Sequence, residues 1–395
     1  MISLAEEVVC IKCKTTYSPS QIVGTLGDRT ATLTDLRRGI VGRTEASGRA
    51  NRMWTRVTGR IERPDISSRI DALRGWTFHC PADEPHAVDG NAGLAFPVAI
   101  VGRSGASKSH FVPAIPWEVK VLGSLDPLDI VLQEPIWKTE DAPDLGPDIS
   151  EIFVEHRVPP ATKADEVGVR GPYTYRLFVQ RGRDREKLLS LYLFDAPGEF
   201  FEKIEVIADQ SPYLLLARSV IVLLDPSDLV DTRGQERLLT TNEKNIALSD
   251  SADLVNRIAD AFKQTYAVDD FPVPVCFVLA KADAIDTRFG WSGETASVIE
   301  EAREHPGQLG RILRDASDRA RDACRDLGLD RIVRSIEAQY PSELTRFALA
   351  SATSQSVSSS GSDRAWEDPV PNGVGLALLQ LLSMTGVLDE PSGEL

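Results

Sequence analysis

The chain has 395 residues, of which 42% are hydrophobic and 26% charged, a balance typical of a globular protein with one large domain and an appendage. It has 44 lysines and arginines against 59 aspartates and glutamates, and the formal charge of −15 argues against nucleic acid or an anionic membrane as the main partner. No apolar run is long enough to cross a bilayer and the first residues lack the pattern of a secretory signal, so we expect no membrane span and a cytoplasmic protein.

The first 94 residues predict a small, irregular module, because short apolar pieces and arginine-rich linkers alternate without a helical period. A C-x-x-C turn and the later stretch HCPADEPH offer ligands for zinc. The candidate ligands are Cys10, Cys13, Cys80 and Asp83, with His79 or His86 as alternatives to Asp83. Structural zinc prefers four nitrogen or sulfur ligands, so a bound zinc ion and a degenerate ribbon without metal both stay open.

From residue 95 onward, apolar runs alternate with helical stretches, which predicts an α/β domain over residues 95–388 with a flexible tail at 389–395. Strands are predicted at 95–102, 173–181, 188–196, 219–225, 273–281 and 346–351, and helices at 199–210, 251–266, 308–327, 329–338 and 374–386. The order predicts a mostly parallel sheet with helices on both faces, and the short linker GRDREK predicts one antiparallel hairpin. Residues 123–171 and 351–364 are predicted to be loops.

The first strand of this domain leads into GRSGASKS, which resembles the phosphate-binding loop G-x-x-x-x-G-K-S except for Ser107 at the last glycine. In such a loop backbone N–H groups face phosphate oxygens at a helix N-terminus, so we expect Lys108 to bind the β- and γ-phosphates and the Ser109 hydroxyl to bind Mg²⁺. The candidate nucleotide-binding residues are Gly102, Arg103, Ser104, Gly105, Ala106, Ser107, Lys108, Ser109 and His110. A Cβ at Ser107 could crowd the phosphates, and Pro113 and Pro116 predict a short or kinked helix behind the loop.

The stretch DAPG at the end of the third strand is a D-x-x-G arrangement, in which Asp195 binds Mg²⁺ through water and the N–H of Gly198 meets the γ-phosphate. Thr162, in the loop before the second strand, is the candidate for the switch threonine that binds Mg²⁺ and the γ-phosphate. Glu199 directly follows the D-x-x-G arrangement, at the position where many nucleotide-hydrolysing enzymes have a water-positioning glutamine. Its carboxylate could orient or deprotonate water, but a negative charge near the γ-phosphate predicts slow turnover. The alternative, equally open, is that Glu199 is only a solvent-exposed residue at the start of a helix.

The stretch AKAD resembles the guanine-recognising motif N/T-K-x-D, with Ala280 in place of the usual asparagine or threonine. In that motif Asp283 accepts hydrogen bonds from guanine N1–H and N2–H₂, while the stem of Lys281 lies along the base. Ser351 and Ala352 follow the last strand, where such proteins present a backbone N–H to the base. Because ligands bind at the carboxyl ends of strands in open α/β sheets, these ordered signals together predict a guanine-nucleotide site.

These stretches resemble the translation-factor-like P-loop GTPases and, more narrowly, the bacterial double-GTPase family associated with conflict and defence gene neighbourhoods. The resemblance is carried by HCPADEPH, VAIVGRSGASKSHF, DAPGEFF, AKAD and VGLALLQLLSMTGVL. It implies a zinc-ribbon-like segment ahead of a divergent GTPase domain, with GTP or GDP and Mg²⁺ as ligands. It also implies a protein partner encoded nearby, in a conflict or stress system.

The sequence therefore predicts a GTP-binding switch that hydrolyses GTP slowly. One alternative is a non-catalytic scaffold that retains the fold around a degenerate site, which Ser107, Pro113 and Ala280 would favour. A weaker alternative is an ATPase, for which the stretch from Lys281 to Asp283 would be only a turn at the end of a strand.

Overall fold

The computed structural model describes residues 8–10, 13, 15–26, 28–35, 77–88, 94–103, 106–133, 145–157, 170–180, 186–195, 217–225, 241–266, 268–283, 294–353 and 369–388. Five candidate site residues lie outside this part of the chain: Ser104, Gly105, Thr162, Gly198 and Glu199. The predicted helix at 199–210 lies outside it as well.

The strands in chain order are β1 (Val8–Cys10), β2 (Thr15–Tyr17), β3 (Val23–Leu26), β4 (Arg29–Thr32), β5 (Thr77–His79), β6 (Ala87–Val88), β7 (Leu94–Gly102), β8 (Ile130–Gln133), β9 (Arg170–Gln180), β10 (Glu186–Asp195), β11 (Ser219–Leu224), β12 (Val275–Leu279) and β13 (Thr345–Leu349). The α-helices are α1 (Lys108–Pro116), α2 (Gly146–Ile149), α3 (Thr241–Tyr266), α4 (Glu294–Glu304), α5 (Leu309–Asp326), α6 (Asp330–Gln339) and α7 (Val374–Met384). Two π-helical turns cover Trp117–Val121 and Ser150–Val154. Among the described residues, no helix is both long enough and apolar enough to cross a membrane.

Within the described part of the chain, seven strands form one mixed sheet in the order β13-β12-β11-β7-β10-β9-β8. The five strands from β13 to β10 are parallel, and β9 is antiparallel to both β10 and β8. The α/β class and the predicted hairpin, formed by β9 and β10, are thus confirmed. The prediction of loop throughout 123–171 was wrong, because this segment contains the edge strand β8 and the short helix α2. Strand β8 has only two buried residues, Ile130 and Leu132, too few to stand out in a segment rich in proline and aspartate.

Strand β7 shows why the parallel strands are continuously apolar. Val98 and Ile100 pack on one face of the sheet in a core that includes residues of α1, α5 and α7, whereas Ala99 and Val101 pack on the other face with residues of α3 and α6. Because helices cover both faces, each side chain along the strand is buried whichever way it points. The same packing places the carboxyl ends of β7, β11, β12 and β13 along one edge of the sheet.

The N-terminal module is built from short antiparallel strands. Strand β1 pairs with β2, and the described residues form a second sheet in the order β4-β3-β5-β6. A small core of its own contains Cys10, Ile22, Leu33, Phe78 and Cys80. Among the described residues of this module, cysteines thus contribute to the core beside a few large apolar side chains.

A buried carboxylate links the segment behind the phosphate loop to the last described helix. Glu118, on the π-helical turn that continues α1, is 3% exposed, and its Oε2 accepts a hydrogen bond of 2.9 Å from the N–H of Val374. The N–H groups of Gly373 and Gly375 also donate to this carboxylate. Gly373 has φ +82° and a Cβ there would overlap the carbonyl oxygen of Leu349, so glycine is required for α7 to begin here. Glu118 therefore binds the positive end of the α7 dipole.

Glu118 is expected to make stability depend on pH. Burial raises the pKa of this carboxyl from 4.5 to about 7, against the opposing effect of its backbone hydrogen bonds. The folded state therefore binds more protons than the unfolded state between these values, and the free energy of unfolding falls as pH rises from 4.5 through 7, by roughly 3 kcal/mol. In Glu118→Gln this fall should disappear. Guanidinium denaturation of both proteins at several pH values checks this, and parallel curves for the two would contradict it.

Candidate functional site

The carboxyl ends of four adjacent parallel strands bring the predicted motifs together. Gly102 at the end of β7 pairs with Leu223 of β11, and Leu279 of β12 pairs with both Leu224 and Leu349 on its neighbours. The phosphate loop, the AKAD stretch and the residues after β13 therefore leave the sheet at one edge. This edge gathers the described candidates Gly102, Arg103, Ala106, Ser107, Lys108, Ser109, His110, Asp195, Lys281, Asp283, Ser351 and Ala352.

Ser107 is the residue that caps α1, and its backbone has φ 62° and ψ 24°, the left-handed conformation. Its carbonyl oxygen accepts hydrogen bonds from the N–H groups of His110 and Phe111, at 3.0 and 2.9 Å. Glycine adopts this conformation freely, whereas an L-residue is disfavoured there by about 1–2 kcal/mol. From the sequence, the expected disadvantage of serine at this position was that its Cβ would crowd the phosphates. The structure adds a backbone reason for glycine at this position.

Lys108 lies over the phosphate loop. Its side chain is 7% exposed, and Nζ donates hydrogen bonds of 2.8 Å to the carbonyl oxygens of Gly102 and Arg103. Gly102, the last residue of β7 before the loop, lies close against β11, because a Cβ there would come within 3.1 Å of the carbonyl oxygen of Leu223. The ammonium group is therefore held against the backbone that leads from β7 into the loop.

Asp195 occupies the end of β10, next to the strand that carries the phosphate loop. It pairs in parallel register with Ile100, two residues before Gly102, and its carboxylate is buried. Ser109, in the first turn of α1, is partly buried. Oxygen ligands of these two types suit Mg²⁺, which is usually bound in proteins by one or two carboxylates and by the phosphates of its substrate.

The AKAD stretch is held in place by contacts between two loops. The N–H of Ala282 donates to the carbonyl oxygen of Ala350 at 3.1 Å, and the hydroxyl of Ser351 donates to Oδ1 of Asp283. Ser351 and Asn372 exchange two backbone hydrogen bonds of 2.8 and 2.9 Å, which hold the loop after β13 in place. The N–H of Ser351 is thus bonded to Asn372, so Ala352 is the better candidate to offer an N–H to a base.

The imidazole of His110, just after the phosphate loop, interacts electrostatically with Lys281 of the AKAD stretch. Burial, and secondly the positive charge of Lys281, lower the pKa of its imidazole from 6.5 to about 4. The ring is therefore neutral at physiological pH, and it adds no charge to a site already occupied by Lys108 and Lys281.

Sequence reasoning missed Asp225. This residue follows β11, and its Oδ2 lies 2.8 Å from Nζ of Lys281. The one sequence signal for this residue was its place at the end of the predicted strand 219–225. Nothing in the sequence connected it with a lysine 56 positions later.

The N-terminal module contains a second cluster, whose ligand atoms all lie within 4.8 Å of one another. Its members are Cys10, Cys13, Cys80 and His86. The fourth member is His86 rather than Asp83, because the hairpin of β5 and β6 turns the chain back so that the N–H of Cys80 reaches the carbonyl oxygen of His86 at 3.0 Å. Asp83 is exposed in the turn between these strands. Of the three residues offered by the sequence as a fourth ligand, the structure groups His86 with the cysteines.

The distances in this cluster fit a tetrahedral zinc ion. Sγ of Cys13 lies 3.6 Å from Sγ of Cys80 and 3.2 Å from Nδ1 of His86, which in turn lies 3.8 Å from Sγ of Cys10. Zn–S bonds of about 2.3 Å in a tetrahedron place sulfur atoms ~3.8 Å apart. Burial disfavours the thiolate form of Cys80, but hydrogen bonds from the N–H groups of His86 and Ala82 oppose this effect, and the pKa of Cys80 is lowered to about 6. Burial raises the pKa of Cys10 to about 12. Three thiols and an imidazole are the donor set that structural zinc prefers.

Comparison with known proteins shows the family to which the chain belongs. The sequence model of the family described as Double-GTPase 2 matches residues 153–377, more than half of the chain, in a range that begins after the phosphate loop. The sequence resemblance to double-GTPases is thereby confirmed. A search of curated proteins finds no match.

Several solved structures resemble the chain at low identity. The signal recognition particle receptor SRb-GTP/SRX complex from Chaetomium thermophilum has 16% identity and a TM-score of 0.30, with 66% of this chain and 92% of that chain covered. The Ski7 GTPase-like domain of S. cerevisiae bound to GTP has 11% identity and a TM-score of 0.29, with 76% and 52% covered. The Arl6 BBS3 small GTPase of Trypanosoma brucei has 11% identity and a TM-score of 0.26, with 65% and 87% covered. These similarities are too low to support a functional conclusion.

Proposed function

Since the chain belongs to the Double-GTPase 2 family, we propose that it binds GTP and GDP with Mg²⁺ and hydrolyses GTP slowly, as a nucleotide-dependent switch. The observation that carries this proposal is the convergence of a lysine-bearing phosphate loop and the Asp283 carboxylate at one edge of the sheet. The hydroxyl of Ser351 bonds to that carboxylate and fixes its orientation. A carboxylate accepts hydrogen bonds only, so it matches the N1–H and N2–H₂ donors of guanine, which adenine lacks.

The residues take the following roles in this proposal. Lys108 moves from the loop carbonyls to the β- and γ-phosphates, while the loop N–H groups bind further phosphate oxygens. Ser109 and Asp195 would bind Mg²⁺, which would supply positive charge to offset the negative charge of the phosphates. Thr162, Gly198 and Glu199 remain candidates for the γ-phosphate side of the site by their place in the sequence, and Glu199 would orient the attacking water.

The biological setting is proposed on the sequence resemblance. The protein would act in the cytoplasm of a bacterium, in a conflict or stress system, and a partner protein encoded nearby would recognise the nucleotide state of its switch loops. The negative net charge of −15 favours a basic partner surface and disfavours nucleic acid.

The second candidate function is a scaffold that keeps the fold but does not bind nucleotide. Ser107 in the left-handed conformation and the absence of a side-chain amide at Ala280 favour it. Titration of fluorescent GTP, GDP and ATP analogues in the presence of Mg²⁺ separates the two functions. Guanine-selective binding supports the switch. The absence of binding up to about 1 mM nucleotide, equivalent to about −4 kcal/mol, would leave the scaffold.

We also propose that Cys10, Cys13, Cys80 and His86 bind one structural zinc ion. The N–H groups of Cys13 and His86 lie 3.4 Å from Sγ of Cys10 and Cys80, and such bonds orient thiolate ligands. Zinc in this position would stabilise a module whose apolar core is small.

Removal of the proposed zinc is expected to unfold the N-terminal module. Purified protein should contain one zinc per chain, and Cys80→Ser should lose it, because a hydroxyl is a poor zinc ligand at neutral pH. Metal content by mass spectrometry and protease sensitivity before and after chelation provide the measurement. Cys324→Ser, at a buried cysteine on α5 outside the cluster, is the matched control and should keep its metal. Metal-free wild-type protein with a protease-resistant N-terminus would contradict the proposal.

A further inference from the structure

The ion pair between Lys281 and Asp225 is not part of any motif that the sequence displays. Nζ of the lysine lies 2.8 Å from Oδ2 of the aspartate, and the two side chains are 32% and 15% exposed. An ion pair that is largely removed from water is screened less by salt than a surface pair, and the loss of one partner leaves the other charge poorly compensated. The pair therefore constrains the lysine more than an exposed contact would.

The position of Asp225 follows from the order of the strands. It comes directly after β11, which lies between β7, the strand of the phosphate loop, and β12, the strand of the AKAD stretch. The N–H of Ala280 donates to the carbonyl oxygen of Leu224 at 2.9 Å, so the two strand ends stay together up to the last residue. Asp225 therefore lies between the part of the site that would bind phosphates and the part that would bind the base.

Lys281 needs an external support in this chain. Its backbone has φ 55°, a left-handed conformation that is costly for a side chain with a Cβ. The preceding residue, Ala280, is buried and has no side-chain group that could hydrogen-bond to neighbouring loops. A lysine stem loses much rotamer freedom when it is ordered, so a stem that is held in place before the base arrives binds that base more tightly.

We propose that Asp225 is a positioning residue for the guanine site, which holds the ammonium group of Lys281 so that the lysine stem lies along the base. In this way the middle strand supplies the support that Ala280 lacks. The inference rests on the proposed function, because it describes how the same site binds its nucleotide. It makes Asp225 act through Lys281 and not through direct contact with the phosphates.

Asp225→Asn tests this inference, because asparagine keeps the shape of the side chain and removes its charge. We expect the variant to bind GTP about tenfold more weakly, the usual effect of losing one charged hydrogen bond. The loss should be the same for GTP, GDP and ITP, since the lysine stem contacts the base regardless of the γ-phosphate or the 2-amino group. Asp253→Asn, at an exposed aspartate on α3, is the matched control and should bind like the wild type.

A double-mutant comparison shows whether Asp225 acts through the lysine. Lys281→Met keeps an apolar stem and removes the ammonium group, so Asp225→Asn should cause no further loss of affinity when the two substitutions are combined. A further tenfold loss in the double variant, or wild-type affinity in Asp225→Asn alone, would overturn the inference. Should Asp225→Asn fail to fold, Lys281→Met alone should still weaken GTP about tenfold, and unchanged affinity would overturn it equally. If the wild-type protein itself binds no guanine nucleotide, the proposed function fails and the inference fails with it.

Discussion

Lys108→Ala is expected to weaken GTP binding by about 100-fold or more. In the structure the ammonium group donates two hydrogen bonds of 2.8 Å to loop carbonyls, and with GTP bound it would donate instead to the β- and γ-phosphates. Each charged hydrogen bond contributes about 1.5–3 kcal/mol, so the loss of two gives at least ~3 kcal/mol, or about 100-fold in affinity. The loss should be smaller for GDP, which lacks the γ-phosphate. Titration with fluorescent analogues of both nucleotides provides the measurement.

The same variant should not unfold the protein. Lys108 is a buried cation that donates to two neutral carbonyl groups, so its removal also removes a desolvation cost. We expect the free energy of unfolding to change by less than about 1 kcal/mol, which denaturant titration would show. Lys120→Ala, at an exposed lysine on the π-helical turn after α1, is the matched control and should keep full GTP affinity. Equal GTP affinity in Lys108→Ala and the wild type would contradict the proposed phosphate site.

Asp283→Asn is expected to change the preferred base from guanine to xanthine. The amide has one acceptor and one donor group, so its NH₂ would face the N2–H₂ donor of guanine and repel it. Xanthine carries an oxygen at that position and keeps N1–H, and both match the amide. The hydroxyl of Ser351, which bonds Oδ1 of Asp283, would keep the amide oxygen on the same side. The amide NH₂ and the N2–H₂ of guanine would both be left unsatisfied, at about 1–3 kcal/mol each, so we expect GTP to bind about 100-fold more weakly, while XTP binds more tightly than to the wild type.

Competition of GTP, XTP and ATP against one fluorescent nucleotide would measure this change. Asp253→Asn, which makes the same chemical substitution at an exposed site, is expected to keep the preference for guanine. A uniform loss of affinity for all three nucleotides would indicate damage to the loop and not a change of specificity. Tight ATP binding by the wild type would point to the ATPase alternative.

The sequence predicted the parts of this fold that depend on local pattern. Strands buried on both faces are continuously apolar, so β7, β11 and β12 were recognised, and the motifs that follow β7 and β12 were expected at the same edge of the sheet, where the structure has them. The glycine-like position at Ser107 was recognised by spacing, although its left-handed backbone was visible only in the structure.

Contacts between distant segments were the part that the sequence could not supply. The choice between Asp83 and His86 depends on how the hairpin of β5 and β6 returns to Cys80, and a list of nearby ligand types does not contain that information. The pairing of Lys281 with Asp225 likewise depends on the order of strands in the sheet. Residues that support a site through such contacts carry no motif, and they are found only when the strand order is known.

The bond from Val374 to Glu118 joins residues that are 256 positions apart, which has a consequence for the protein as it is being synthesised. A ribosome makes Glu118 early and the glycine-flanked start of α7 much later, so the carboxylate must remain in water, or protonated, until its partners emerge. The loop beside Asp283 is likewise fixed only after Asn372 has been synthesised and can pair with Ser351. We therefore expect the proposed nucleotide site to be completed late in translation, so that a nascent chain interrupted before residue 373 would not yet bind nucleotide.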